Sequence, residues 1–525
     1  MVRAPMERFD EIGRRPPTTW WLGRFVFLRL LGLVYTVAFL VALEQAVPLI
    51  GERGILPATW WLERVAAGRS YAEGFAELPS LFWWTGASDE ALRIAALIGL
   101  VLGIATTLGA THALVLAMLW WLQLSFVHVG QTFWAYGWET LLCEAGLLAV
   151  FVAPVRSVGP FPAGHAPPAI APWLLRWLTF RLMFGAGLIK LRGDPCWIEL
   201  SCLDFHYETQ PNPHPLSPWF HALPPWVDRL GVLFNHAVEL AAPPLLFAPG
   251  RWRIAAVASI VAFQAMLIAS GNLSFLNWLS IAVALGCLDD RALAPLLPAA
   301  YRARLERLAR EPPTPSRAAR IAVWTYAGLV VVLSIDPVVN LLSRGQLMNA
   351  SFDRLRMVNT YGAFGVVDRE RLEVQLEGTL DDPLDPRARW LAYELPCKPG
   401  PPERMPCLVT PYHYRLDWQM WFAWHGEERS EPWLVRLADL LLRGEPAVRP
   451  LFRHDPFGAR PPRAIRVTLW RYRMAGPFEP GIWWRRERLP YDWLPPVWRG
   501  QPSFESFLER WGWRREATPI EHVLP

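Results

Sequence analysis

The chain is 525 residues long, 53% hydrophobic and only 19% charged, with 30 tryptophans and a formal charge of +5. Soluble domains average about a quarter charged, so this much apolar sequence, gathered into long runs over the first two-thirds, excludes one soluble core and predicts membrane helices. All 52 basic residues but Lys190 and Lys398 are arginine, the mark of GC-rich coding; no stripe of alternating basic and aromatic residues occurs, so no nucleic-acid partner is expected.

A helical span needs ~20 mostly apolar residues. Nine stretches meet or approach that length: 25–43, 91–109, 112–128, 133–153, 172–191, 230–247, 253–270, 273–288 and 321–342. The polar arm before the first run is too long, and the run too extended, for a cleavable signal. Arg3, Arg8, Arg14, Arg15 and Arg24 place that arm inside, because arginine gathers in short cytoplasmic loops. The loop at 248–252 and the segment 289–320, with Arg291, Arg302, Arg304, Arg307, Arg310, Arg317 and Arg320, then also fall inside. An odd number of spans puts residues 343–525 outside.

The predicted organisation is a cytoplasmic arm over 1–24, then a multi-span membrane domain over 25–342 with an outside loop at 192–229. An extracytoplasmic, mainly β domain follows over 343–525. In that domain Arg371–Glu377 and Ile465–Tyr472 alternate polar and apolar residues as half-buried strands do. Stretches 389–395 and 481–488 are further strand candidates, and a helix is expected at 432–443 behind Pro432.

Cysteines agree with this sidedness. Cys143 and Cys287 lie in spans, where a thiol behaves as a small apolar residue. Cys196 and Cys202 share the outside loop, and Cys397 and Cys407 share the outside domain, where disulfides persist. Bridges Cys196–Cys202 and Cys397–Cys407 are predicted, with free thiols the alternative that only geometry decides.

Ionisable residues within spans mark pairing or function, because an unpaired charge there costs ~3 kcal/mol or more. They are Arg29, Glu139, Glu144, Arg176, Arg181, Lys190, His236 and Glu239. At a rise of about 1.5 Å per residue, Glu144, Arg181 and Glu239 fall roughly 13–17 Å from the outer boundary, a cluster near the midplane. Glu139, His236 and Lys190 form a second layer within ~10 Å of the outer face. Glu139 and Glu144 point about 140° apart on their helix, whereas Asn235 and Glu239, at i and i+4, share a face. Two readings stand open: pairs that only fix helix packing, or a polar cavity in which Lys190 or His236 moves protons.

Several chemistries are absent from the sequence. There is no G-x-S-x-G nucleophile elbow, no phosphate-binding G-x-x-x-x-G-K-[ST] loop and no H-E-x-x-H. The short cysteine pairs lack zinc-site spacing, so neither metal nor cofactor is expected.

Long irregular motifs carry a family likeness. They include Gly130–Trp134, Tyr136–Glu139 and Phe180–Asp194, continuing through Cys196-Trp197, Cys202 and Asp204–Pro211. Asn235-His236 with Glu239, and Ser270–Leu279, belong to the same set. The outside region adds Asn359–Gly365, Tyr393-Glu394, Cys397–Gly400, Pro411–His413 and Arg415–Phe422. Over roughly residues 20–515 the chain resembles the lipase maturation factor family.

That resemblance implies an endoplasmic-reticulum membrane protein assisting the folding of secreted homodimeric lipases, notably lipoprotein lipase, through a lumenal C-terminal region. The arginine bias points instead to a bacterial inner membrane and to a lipase-like or other extracytoplasmic client. A fainter likeness, over Ala186–Leu191 with Asp194 and Trp197, is to the membrane domain of vitamin K-dependent γ-carboxylases. It implies an alternative: a membrane enzyme with a quinone-like or lipid substrate and Lys190 as base, aided by His236 and Glu139.

Overall fold

The computed structural model describes residues 19–154, 161, 165–296, 298–310, 316–427 and 430–514. Arg3, Arg8, Arg14 and Arg15 of the predicted arm lie outside the described residues. The first helix begins at Trp21, so Arg24 is a buried helical residue and not the end of an arm. Its start is closed by a distant side chain: Asp290 accepts from the Trp21 and Leu22 amides at 3.0 and 2.6 Å. Those amides have no partner within the helix, and a carboxylate at this end also meets the positive pole of the helix dipole.

Each predicted span lies on helical structure. By length and composition, four helices suit a membrane crossing: Trp21–Ile50, Asp89–Leu108, Arg251–Ser270 and the Arg317–Leu342 pair. Ala113–Val129 and Leu276–Gly286 are apolar but shorter. Gly137–Val152 and Ala171–Arg192 carry their charges into the interior, and the stretch at 230–247 breaks into Pro225–His236, a π-helical turn Ala237–Ala241, and Ala242–Leu245. The outward faces of the long helices are apolar, as hydrocarbon requires: Val101, Ile104 and Leu108 on one, Val331, Val332 and Val339 on another.

Close backbone approach holds the first two long helices together. The Asp89–Leu108 helix starts on Ser88, whose hydroxyl accepts from Ala91 N, and stops at Gly109 in the left-handed region. Between these ends Gly103 faces Thr36, and Gly32 faces Thr107; a Cβ at Gly103 would lie 2.7 Å from the Thr36 nitrogen. The Gly99-x-x-x-Gly103 pair is therefore a crossing point, in the way small residues permit in membranes.

After Leu342 the chain does not leave the helical body at once. Segment 343–370 returns into it, and only then does a sheet form, in the order β2-β1-β3-β4, all antiparallel. The two alternating sequences become β1 (Arg371–Thr379) and β3 (Ala464–Met474), paired from Arg371↔Tyr472 to Thr379↔Ala464. β2 is only Leu391–Ala392, and β4 is the long Trp484–Trp498.

The region is less β-rich than expected, because helices Arg415–Ala423, Pro432–Leu442 and Pro502–Arg510 share it with this small sheet. Their buried faces join one apolar core that runs on into the membrane helices through Trp134, Trp138, Trp418 and Trp433. Cys196–Cys202 and Cys397–Cys407 are both bridged, and Cys143 and Cys287 are free and buried.

Gly103→Val inserts methyl groups against the backbone of the first helix, a cost of about 1–3 kcal/mol for an overpacked contact. The expected outcome is a lower thermal unfolding midpoint in lipid nanodiscs, with Gly345→Val, which meets nothing within 4 Å, unchanged as control.

Candidate functional site

Of the charges predicted in the spans, Glu139, Glu144, Arg176, Arg181, Lys190 and Glu239 are buried and Arg29 and His236 half-buried; Glu139, Glu144 and Arg181 find partners in residues beyond the last membrane helix. Arg181 donates to Glu144 through both terminal nitrogens, once at 3.3 Å, and its Nη1 also donates to the Asn359 carbonyl. Glu144 Oε2 further accepts from Asn359 N at 3.0 Å, Asn359 Nδ2 at 3.1 Å and the Tyr361 hydroxyl at 2.7 Å. Segment 343–370 thus supplies the remaining donors that a buried carboxylate requires.

Glu239 is not part of this group, contrary to the expected midplane cluster. It pairs with Lys190, nine residues further along the Arg181 helix, at 2.6 and 2.7 Å to its two oxygens. The reason is local: the π turn Ala237–Ala241 breaks the regular rise and phase on which the depth comparison relied. Asn235, on the shared face, donates to Glu239 at 3.0 Å and accepts from Lys190 at 2.9 Å.

The expected layer of Glu139, His236 and Lys190 also separates. His236 Nε2 donates to the Trp197 carbonyl at 2.9 Å, while Lys190 Nζ lies 4.9 Å from the Trp197 ring centre. Glu139 faces the other way, accepting from Gln123 at 2.6 Å and from the Trp138 indole at 3.1 Å. Its counter-charge is Arg415, 2.8 Å away, on the first helix of the C-terminal region. Arg415 lies over the Trp134 ring at 3.8 Å and donates to the Phe133 carbonyl at 2.8 Å. Gln45 of the first membrane helix accepts from the Arg415 amide, at 2.8 Å.

Two further anchors join the C-terminal region to segment 192–229. Arg371, at the start of β1, donates to the carbonyls of Glu208, Gln210 and Pro211 and pairs with Glu373. Asp194, just beyond the Lys190 helix, accepts from Arg369 at 2.7 Å and from the Cys196 amide at 3.0 Å. Arg415, Asn359, Tyr361 and Arg371 escaped a search confined to spans. The signal that could have found them was their place within the motifs Asn359–Gly365 and Arg415–Phe422, and at the head of an alternating strand.

Between the helices and the C-terminal region lies a cavity of about 830 Å³. Lys190, Asn235 and Glu239 form part of its wall, with Trp138, Phe364 and Trp418. Lys190 is therefore beside open space, but its three protons are spent on the two Glu239 oxygens and Asn235. An ammonium so engaged has no lone pair to offer, and the arrangement gives no support to Lys190 as a catalytic base.

In the C-terminal region Asp417 Oδ1 accepts from the Cys397 and Lys398 amides at 2.6 and 3.0 Å, pinning the bridged 397–407 loop to the Arg415–Ala423 helix. Burial pushes the Asp417 carboxyl up to about 7, against the pull of those amides. Burial also lowers Lys398 to about 8, opposed by the neighbouring Glu373 carboxylate.

The folded state keeps the Asp417 proton up to about pH 7, whereas an ordinary aspartate loses it near 3.8. Its contribution to stability is thus full below about pH 4 and declines as pH rises to 7. Lys398 has the opposite slope, since unfolding restores proton binding up to 10.5, and stability rises from pH 8 to 10.5. Asp417→Asn is expected to flatten the decline between pH 4 and 7 in thermal unfolding; an unchanged slope would refute the assignment. For the Glu139–Arg415 pair, either Glu139→Gln or Arg415→Met alone is expected to cost about 3–5 kcal/mol, and the double variant to recover most of it. Additive losses in a double-mutant cycle would show that the two side chains are not coupled.

Comparisons with known proteins agree with this joined architecture. The family described as lipase maturation factor transmembrane domain matches residues 22–295, and that described as lipase maturation factor C-terminal domain matches residues 357–492. The chain is 42% identical to lipase maturation factor 1 of Mus musculus, covering 98% of this chain and 93% of the mouse protein. It is 41% identical to lipase maturation factor 1 of Homo sapiens, over 91% and 88% of the two chains. Identity to human lipase maturation factor 2 is 30%, over 95% and 86%. No solved structure matches. With both halves matched and the similarity running nearly end to end, the chain is a membrane protein that belongs to the lipase maturation factor family.

Proposed function

We propose that this chain is a membrane-bound maturation factor that assists the folding of a secreted, lipase-like client outside the cytoplasm. The observation that carries the reading is near-full-length similarity to proteins named lipase maturation factor, spanning membrane helices and C-terminal region alike. The nine-span topology, with its start inside and residues 343–525 outside, belongs to the same proposal. It is supported by the arginines of 289–320 and by disulfides in both segments assigned to the outside. The membrane is the inner membrane of a bacterium, as the near-absence of lysine suggests; eukaryotic members would occupy the endoplasmic reticulum.

The client-facing surface is placed on the C-terminal region. The Trp483 amide donates to the Pro402 carbonyl at 2.8 Å, which brings the bridged 397–407 loop against the turn between β3 and β4. Met405, Phe478 and Ile482 are exposed there, Phe478 at 84%, and Trp219 of the outside loop packs edge-on against Phe478. An apolar patch on a disulfide-braced scaffold suits transient capture of a client whose core is not yet closed. The buried ion pairs hold that scaffold in a fixed pose on the membrane helices.

Deleting residues 343–525 would strip Glu144 of its Asn359 and Tyr361 donors and leave Glu139 without its counter-charge Arg415, destabilising the helices themselves, so surface substitution is the cleaner test. Phe478→Asp with Ile482→Asp is expected to leave the protein at normal abundance. Active lipase secreted by the native host should fall at least fivefold, with inactive lipase accumulating. Unchanged secretion of active lipase and of other exported enzymes after removal of the whole gene would overturn the proposal.

A further inference from the structure

The cavity of about 830 Å³ falls in the range of sites that enclose a small molecule, about 300–1,000 Å³. Its walls come from separate parts of the chain. Leu182, Met183 and Ala186 line it from the Lys190 helix, and Phe263, Met266 and Leu267 from Arg251–Ser270. Trp418, Trp421 and Phe422 close it from the C-terminal region. Long apolar walls of this kind recognise hydrocarbon, not a polar metabolite.

The polar groups say what the other end of the occupant must be. Lys190 is the one lysine or arginine among the described lining residues, and Glu239 already neutralises it. His425, also in the wall, lies 3.2 Å from the Asp368 carboxylate, so no cation without a carboxylate partner is left among the described lining residues for a phosphate or a carboxylate. His206 also lines the cavity; it is buried, and neither ring nitrogen has a hydrogen-bond partner among the described residues. Its ring meets Phe364 edge-on at 4.7 Å, and burial beside Lys190 lowers its pKa to about 4. It is thus an uncharged imidazole with one donor and one acceptor to satisfy.

The helix that bears the lining residue Gly231 turns Leu230, Leu233 and Phe234 outward, so the cavity is one helix removed from an apolar outer surface. We propose that the cavity binds an uncharged single-chain amphiphile drawn from the bilayer. Its hydrocarbon lies among Phe263, Met183 and Trp418, and a hydroxyl or ester head meets His206. A monoacylglycerol has this chemistry; a fatty acid or phospholipid brings a charge the site does not compensate. The occupant shares its wall with the Arg415 helix and the 361–366 segment, the parts that carry the C-terminal region.

The test uses the full chain in phosphatidylcholine nanodiscs and a monoacylglycerol bearing a diazirine and an alkyne in its acyl chain. Labelling is expected on peptides containing 182–190, 263–270 and 361–366, and to be competed by unlabelled monoolein. Ala363→Trp, which fills the cavity from a loop, should lower that labelling at least fivefold at an unchanged unfolding temperature. His206→Leu should weaken the monoacylglycerol at least threefold while leaving a headless alkyl diazirine unaffected. Labelling confined to the outer faces of Asp89–Leu108 and Arg317–Leu342 would overturn the proposal. So would equal labelling by the corresponding diazirine fatty acid, which does not depend on either variant folding.

Discussion

A charged side chain in a low-dielectric interior is tolerated only where its counter-charge and its remaining hydrogen bonds are supplied together, and the organisation of this protein follows from that requirement. Glu144 and Arg181 are both on membrane helices, yet the helices alone leave the carboxylate short of donors. Asn359 and Tyr361 supply them by sending segment 343–370 back into the bundle. Glu139 goes further, since its whole counter-charge comes from Arg415, outside the bundle. The membrane helices are therefore incomplete without segment 343–370 and the Arg415 helix.

The same requirement gives the C-terminal region its pose. Arg415, Arg371 and Arg369 each reach from the sheet side to a carboxylate or carbonyl of the earlier chain. Around them the aromatic residues are packing for cations as much as core: Trp134 under Arg415 and Trp484 beside Arg371. Guanidinium is suited to this work because its planar fork bonds several acceptors while its face stacks on a ring.

The cavity of about 830 Å³ is a gap in this close packing. It lies where the Lys190–Glu239 pair, compensated within the helices, faces the aromatic wall of the Arg415 helix. Because that pair needs nothing more, the cavity beside it is electrically quiet, which separates a role in binding from a role in proton transfer.

The sequence alone determined that the nine apolar stretches are helical, which cysteines share a segment, β1 and β3, and the family. Each follows from local signals: apolar run length, period-two alternation, cysteine spacing within one segment, and irregular motifs. It also identified most of the buried charges on the spans, because such residues stand out against hydrocarbon, but it passed over Arg253, which is buried and paired with Asp289. Only the tertiary structure decided their partners. Glu239 was one π turn out of the register that linear depth assumes, and Arg415, more than 270 positions beyond Glu139, has no periodic relation to it. Pairing in space depends on how the chain returns after its last membrane helix, and neither hydropathy nor composition records that return.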